Sequence, residues 1–147
     1  FLSGSIRWKA KHGPEMRFML DAMLRPGNDY LFHRVSNAST AAVKPILREM
    51  VADGVNEGCF SVPDIDLVTE VILALSAGRK SVVLRAVETA ETGNLEGATA
   101  LLNDRMKVEG RLIDRLLGLP SGSIELSGPT EYRAMLRALT NHRDEDQ

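Results

Sequence analysis

The chain has 147 residues, the usual size of one domain, and this length is sufficient for a buried core. Its formal net charge of −2 does not indicate a surface that binds nucleic acid or anionic membranes. Cys59 is the only cysteine, which excludes an internal disulfide and a zinc site built from several cysteines, so a reducing, cytoplasmic environment is expected.

Helical spacing of apolar residues runs through the whole sequence, and no alternation of period two exceeds four residues. The sequence therefore predicts an all-α fold, a bundle of helices. Two helices are predicted before residue 25, and the second begins at Pro14, which suits a first helical position. Residues 25–29 are predicted to form a turn, and Asp29 is expected to cap the next helix.

The third helix is predicted to begin near Tyr30 and to be kinked or broken at Pro45, which lacks an amide donor and clashes with the preceding turn. Gly58 follows the last apolar residue of this helix, in the place of a left-handed cap. Gly54 falls on the apolar face, where a missing side chain permits the close approach of a neighbour. Phe60 is expected to return to the core, so a tight corner joins this helix to the next.

Three further helices are predicted after this corner. Asp64 suits the N-cap of one long helix over residues 65–91, which has apolar residues on two sides. Asn94 is expected to cap the following helix, which ends near residue 117. A flexible connector rich in glycine, serine and proline then leads to a final helix over residues 130–141.

One segment of the chain has a familiar order of elements. Residues 45–78 read PILREMVADGVNEGCFSVPDIDLVTEVILALSAG, in which Glu57, Gly58 and Phe60 form an E-G-x-F corner and Asp64 begins the next helix. This order resembles the C-terminal effector-binding and dimerisation domain of TetR-family transcriptional regulators.

The resemblance covers residues 1–119, which would form the effector-binding and dimerisation domain. Residues 120–147 would be a connector and an extra C-terminal helix, beyond the commonest ending of the family. The DNA-reading helix-turn-helix of the family lies N-terminal to this domain, and nothing in the sequence matches it. Because the first residue is Phe1 rather than Met, we expect the sequence to be part of a longer chain.

The resemblance implies a homodimer, in which the two long C-terminal helices pair with their copies as a four-helix interface. The residues favour the same conclusion independently, because a helix that is apolar on two sides needs two partners. The residues expected at the dimer interface are Leu67, Ala74, Ala77, Ser81, Leu84, Leu101, Leu102, Arg105, Leu112, Ile113 and Leu116.

The resemblance also implies an apolar small-molecule effector in a cavity among the earlier helices. Its binding would tilt the first helix and change the spacing of the DNA-reading heads, so operator DNA would be bound only through the N-terminal domain. The residues expected to line the cavity are Trp8, Met16, Met19, Met23, Phe32, His33, Met50, Val71 and Leu75. Ordinary core packing explains the methionine pattern equally well, and a partly buried histidine bonded to the backbone is the favoured explanation of His33.

No nucleophile, phosphate-binding or metalloprotease motif is present, and the histidines lack metal-ligand spacing, so no enzyme activity, cofactor or metal is predicted. Capping and solvation explain Asp21 and Asp29 better than acid–base catalysis does. Arg79, Lys80 and Arg85 form a small basic cluster, for which a solvated face or a cross-dimer ion pair is favoured over phosphate binding.

No segment is long and apolar enough to span a bilayer, and no signal peptide is visible, so a membrane is not an expected partner. The alternative function is an all-helical protein–protein interaction or scaffold domain without a ligand cavity. A closed apolar cavity would favour the regulator, whereas a solid core with an exposed apolar groove would favour the scaffold.

Overall fold

The computed structural model describes Phe18, Asp21, Ala22 and residues 27–140. Over residues 27–140 there are five helices, and the described residues contain no strand, so the predicted all-α fold is confirmed. The helices are α1 (Asp29–Asn56), α2 (Ile65–Ala77), α3 (Lys80–Glu91), α4 (Leu95–Leu117) and α5 (Pro129–Thr140). The first predicted helix and most of the second lie outside the described residues.

Helix α1 departs from the sequence prediction at its start and at its proline. Asn28 occupies the N-cap position without a side-chain cap, and its Nδ2 donates to Ala22 O at 2.6 Å. Asp29 is therefore not the cap but the first helical residue, where its charge still suits the positive end of the helix. The helix continues through Pro45, so a break there is wrong.

Ion pairs between α1 and α2 lie on both sides of the proline. Lys44 Nζ is 2.8 Å from Glu70 Oε1, and Arg48 Nε is 2.6 Å from Asp66 Oδ1. The two helices therefore run antiparallel along this length. We attribute the continuity of α1 to this packing against α2, which offsets the backbone hydrogen bond that the proline cannot make.

The corner between α1 and α2 forms as predicted. Gly58 has a φ of 74°, and the amides of Cys59 and Phe60 both donate to Gly54 O, at 2.8 and 2.9 Å. A Cβ on Gly54 would overlap the Phe60 ring, which explains why glycine is needed at that point. Asp64 Oδ1 accepts from Leu67 N at 2.8 Å and caps α2.

The single long helix predicted over residues 65–91 is wrong, because Gly78 and Arg79 separate α2 from α3. The amide of Arg79 donates to Ser76 O at 3.2 Å, a tighter turn than the α-helix makes. Glycine destabilises a helix interior by about 1 kcal/mol relative to alanine, so Gly78 favours an interruption of the helix. The side chain of Arg79 binds the buried Glu109 of α4, and this tertiary ion pair stabilises the interruption.

The core consists of two clusters that share α4. Side chains of α3, α4 and α5 form one of them, and side chains of α1, α2, α4 and the loop before α5 form the other; Met106 of α4 packs against both. Helix α5 packs back onto its own chain, because Tyr132, Leu136 and Leu139 are buried in the first cluster. The predicted cap at Asn94 is confirmed, with Oδ1 accepting from Gly97 N at 2.9 Å.

The loop over residues 118–128 was predicted to be a flexible connector, and the structure corrects this prediction. The fully buried carboxylate of Asp114 accepts from Gly122 N at 2.7 Å and from Ile124 N at 2.9 Å. Leu126 is buried in the core that α1, α2 and α4 share. Two charge-assisted hydrogen bonds and one buried side chain therefore fix this loop against α4.

Candidate functional site

Helix α2 lies antiparallel to α4. At one end, the amide of Ser61, before α2, donates to Leu117 O at 2.9 Å. At the other end, the guanidinium of Arg79, just after α2, pairs with Glu109 of α4. The start of α2 therefore lies near the end of α4, and the residue that follows α2 lies near the middle of α4.

One contact shows that a surface row of α2 lies beside a surface row of α4. A Cβ on Gly78 would lie 3.6 Å from Nη2 of Arg105. Leu67, Val71 and Ala74 precede Gly78 at helical spacing and so lie on the same side of α2. Arg105 belongs to a row of α4 with the same spacing. We call these residues the α2/α4 face: Leu67, Val71 and Ala74 with Leu101, Arg105, Val108, Leu112 and Leu116.

The α2/α4 face is apolar and largely uncovered. Leu67 is 57% exposed, Val108 53% and Leu112 41%. Large apolar side chains that are grouped on a surface mark an interaction site, whereas single ones need no explanation. Arg105 adds an arginine, a residue type that is enriched in the buried centres of protein interfaces.

Most of the residues predicted at a dimer interface are accessible, but two are not. Leu102 is 3% exposed and Ile113 5% exposed, because both point into the core of this chain. Ala77 and Ser81 are exposed beside the interruption after α2, and Leu84 of α3 is half-buried. Sequence reasoning missed Val108, although it continues the spacing of Arg105 and Leu112 and is found by extending that row.

A buried ion cluster lies directly behind the face. The Glu109 side chain is 1% exposed; Arg79 Nε donates to its two carboxylate oxygens at 2.8 and 3.0 Å, and Arg79 Nη2 donates to Oε1. Arg105 Nε lies 3.4 Å from the second oxygen. Two guanidinium groups therefore surround one carboxylate, which fixes the Arg105 side chain at the edge of the face.

The sequence predicted a small basic cluster around the start of α3. The structure instead places Arg79 in the buried ion cluster. Arg79 is paired within its own chain, so it is neither solvated nor free for a cross-dimer ion pair. Lys80 Nζ lies 3.6 Å from the centre of the Phe32 ring, a cation–π contact that ties α3 to the first half of α1. Glu109 was not singled out from the sequence, although it has the spacing of the core row of α4, which was the available signal of its burial.

The residues predicted to line an effector cavity are only partly described. Trp8, Met16, Met19 and Met23 lie outside the described residues. Phe32 is half-buried, and its ring meets that of His33 edge-on at 6.0 Å, while His33 itself is exposed. Met50 is half exposed on α1, and Val71 belongs to the α2/α4 face. Leu75 packs against the core cluster of α1, α2 and α4.

Among residues 27–140 and the three described residues before them, no group of three or more His, Cys, Asp or Glu side chains is arranged to hold a metal ion. Over the same residues, no helix has the length and apolar character that crossing a membrane requires. Comparisons with protein-family models, with curated proteins and with solved structures find no match to this chain. The proposed function therefore rests on the α2/α4 face and on the ion cluster behind it.

Proposed function

We propose that this chain is the effector-binding and dimerisation domain of a TetR-type transcriptional regulator, and that two copies pair through the α2/α4 face. The single observation that supports the pairing is the row of apolar side chains on two neighbouring antiparallel helices, of which Leu67, Val108 and Leu112 are the most exposed. A face of this kind is self-complementary about a two-fold axis, since α2 and α4 of each copy then build a four-helix interface. Ala74 lets the helices approach closely, and Leu112 and Arg105 supply larger contacts.

In this function, the pairing holds two DNA-reading heads at a fixed distance. A helix-turn-helix domain N-terminal to residue 1 would contact the operator, and half-site spacing on DNA is geometrically strict. An effector that binds one arrangement of the helices better than another shifts the population of dimers between them. Helix α1 would respond to such a shift, because its ion pairs with α2 connect it to one of the helices that pair.

Sedimentation velocity of Val108→Asp and Leu112→Asp variants tests the pairing. The unaltered chain is expected to sediment as a dimer, twice its mass of 16.1 kDa, at about 50 µM. Each variant is expected to sediment as a monomer, because the new aspartate would face its own copy in a two-fold interface, and Arg105, the cation of the face, is already held by Glu109. Circular dichroism at the same concentration confirms that the variants stay folded.

Ile46→Asp is the matched control, since Ile46 is 47% exposed on α1 and lies outside the α2/α4 face. It should leave the dimer intact. A monomeric unaltered chain at this concentration, or equal dissociation by the Ile46 and Leu112 variants, would refute the pairing. A stable monomer would favour the alternative, an interaction domain whose exposed face binds a different protein.

A further inference from the structure

A groove lies between α4 and the loop before α5, on a part of the surface that the α2/α4 face does not include. Its volume is about 350 Å³, at the lower end of the range for small-molecule sites. Met106 of α4 and Ile124 and Leu126 of the loop form apolar parts of its wall. Because Asp114 fixes the loop through two backbone amides, the groove exists before any ligand arrives.

Two cations line the same groove. Lys107 and Arg111 lie one turn apart on α4, so they project from the same side of the helix. In the described part of the chain neither makes a hydrogen bond or an ion pair, in contrast to Arg79 and Arg105, which are both committed to Glu109. Glu125 is the one carboxylate that lines the groove, which leaves its lining with a net positive charge.

The third feature is Ser127, which lines the groove. Its Oγ is buried beside the hydroxyl of Tyr132, which donates to Leu126 O at 3.4 Å. Ser127 has a φ of 139°, a conformation that residues other than glycine rarely adopt. Strained backbone of this kind is concentrated at functional sites.

We propose that this groove binds a small organic anion that carries a carboxylate on an apolar chain. Lys107 and Arg111 pair with the carboxylate, and the apolar wall at Met106, Ile124 and Leu126 contacts the chain. The cations favour a negatively charged group on the ligand, and the apolar wall favours a hydrocarbon chain. Neither a neutral alcohol nor an inorganic anion makes both kinds of contact. This site is separate from the cavity predicted among the first helices and does not depend on the pairing of two copies.

Isothermal titration with octanoate tests the site, with octanol and inorganic phosphate as the two partial probes. Octanoate is expected to bind one molecule per chain in the micromolar range, and each partial probe at least about tenfold more weakly. Arg111→Met and Lys107→Met should each weaken octanoate about tenfold. Arg115→Met is the matched control, because Arg115 is exposed one turn further along α4 and does not line the groove, and it should change nothing.

Several results would overturn the proposal: no octanoate binding below millimolar concentration, octanol binding as tight as octanoate, phosphate binding as tight as octanoate, or equal effects of the Arg111 and Arg115 variants. Methyl chemical shifts of Ile124 and Leu126 locate the bound molecule; shifts confined to other methyl groups would also refute the site. The Leu112→Asp monomer is expected to bind octanoate as tightly as the unaltered chain. Loss of pairing and loss of this site are therefore distinguishable.

Discussion

Replacing Arg79 by methionine removes the main partner of a buried carboxylate. Arg79 donates to both oxygens of Glu109, and the Glu109 side chain is only 1% exposed. In the variant, Arg105 remains as the nearest cation, with its Nε 3.4 Å from one oxygen. The carboxylate then has one long contact in place of a bidentate pair, and water cannot reach it to compensate.

The size of the effect follows from this geometry. Removing one partner of a buried ion pair lowers the free energy of unfolding by about 3–5 kcal/mol, because the remaining charge stays buried and unpaired. We expect about 3 kcal/mol for Arg79→Met, the lower end of that range, since Arg105 stays nearby and about a fifth of the Arg79 side chain is exposed. The double variant Arg79→Met, Glu109→Met removes the unpaired charge and should lie within about 1 kcal/mol of the unaltered chain.

Urea denaturation of the single variants and the double variant, followed by circular dichroism, measures these energies and their coupling. The two single substitutions should be strongly non-additive. A loss below about 1 kcal/mol for Arg79→Met, or a double variant that loses the sum of the single effects, would show that the pair does not stabilise the interruption between α2 and α3.

Three further changes test single contacts. Gly54→Ala places a Cβ into the Phe60 ring and should destabilise by about 1–2 kcal/mol, yet in a Phe60→Ala background it should stabilise, since alanine favours helix over glycine by about 1 kcal/mol. A loss in both backgrounds, measured by urea denaturation, would contradict the clash. Asp114→Asn should cost about 2 kcal/mol and speed hydrogen exchange at the two loop amides that the carboxylate holds. Unchanged exchange at those amides would show that other contacts hold the loop. Burial raises the pKa of Tyr132 to about 12 from its usual value of 10.0. Because the folded-state pKa is the higher one, the unfolded chain ionises first, so this stability is complete below pH ~10 and falls by about 2–3 kcal/mol as the pH rises to ~12. Denaturation series at each pH measure the loss, which Tyr132→Phe should abolish; a phenylalanine variant that keeps it would place the titration on another group.

The elements that could be predicted from the sequence are those that depend on neighbouring residues. The caps at Asp64 and Asn94 and the left-handed turn at Gly58 each need only a few residues of the same segment, and the structure contains all three. The spacing of Leu101, Arg105 and Leu112 is equally local, and it marks one row of residues along α4. Periodicity alone does not tell which apolar row faces inward, and for that reason Leu102 and Ile113 were assigned to the surface.

The features that could not be predicted depend on residues far apart in the chain. The interruption at Gly78 is stabilised by Glu109, thirty residues after Arg79, and no local pattern links the two. The loop before α5 has the composition of a flexible linker, and only its contact with the buried Asp114 shows that it is fixed. The groove could not be predicted for the same reason, since its cations and the apolar residues of its loop come from segments that meet only in the folded chain.

Helix α4 distributes its residues among three environments, and this division limits how the two proposed sites affect each other. Successive residues are about 100° apart around a helix, so Arg105, Val108 and Leu112 lie on one side of it, while Lys107 and Arg111 lie on another. Asp104 and Arg115, which are exposed, lie between the two sides. A second copy on the α2/α4 face therefore leaves the groove open to a ligand. An anion bound in the groove can influence pairing only by moving α4 itself, and the buried ion cluster with Arg79 opposes that movement.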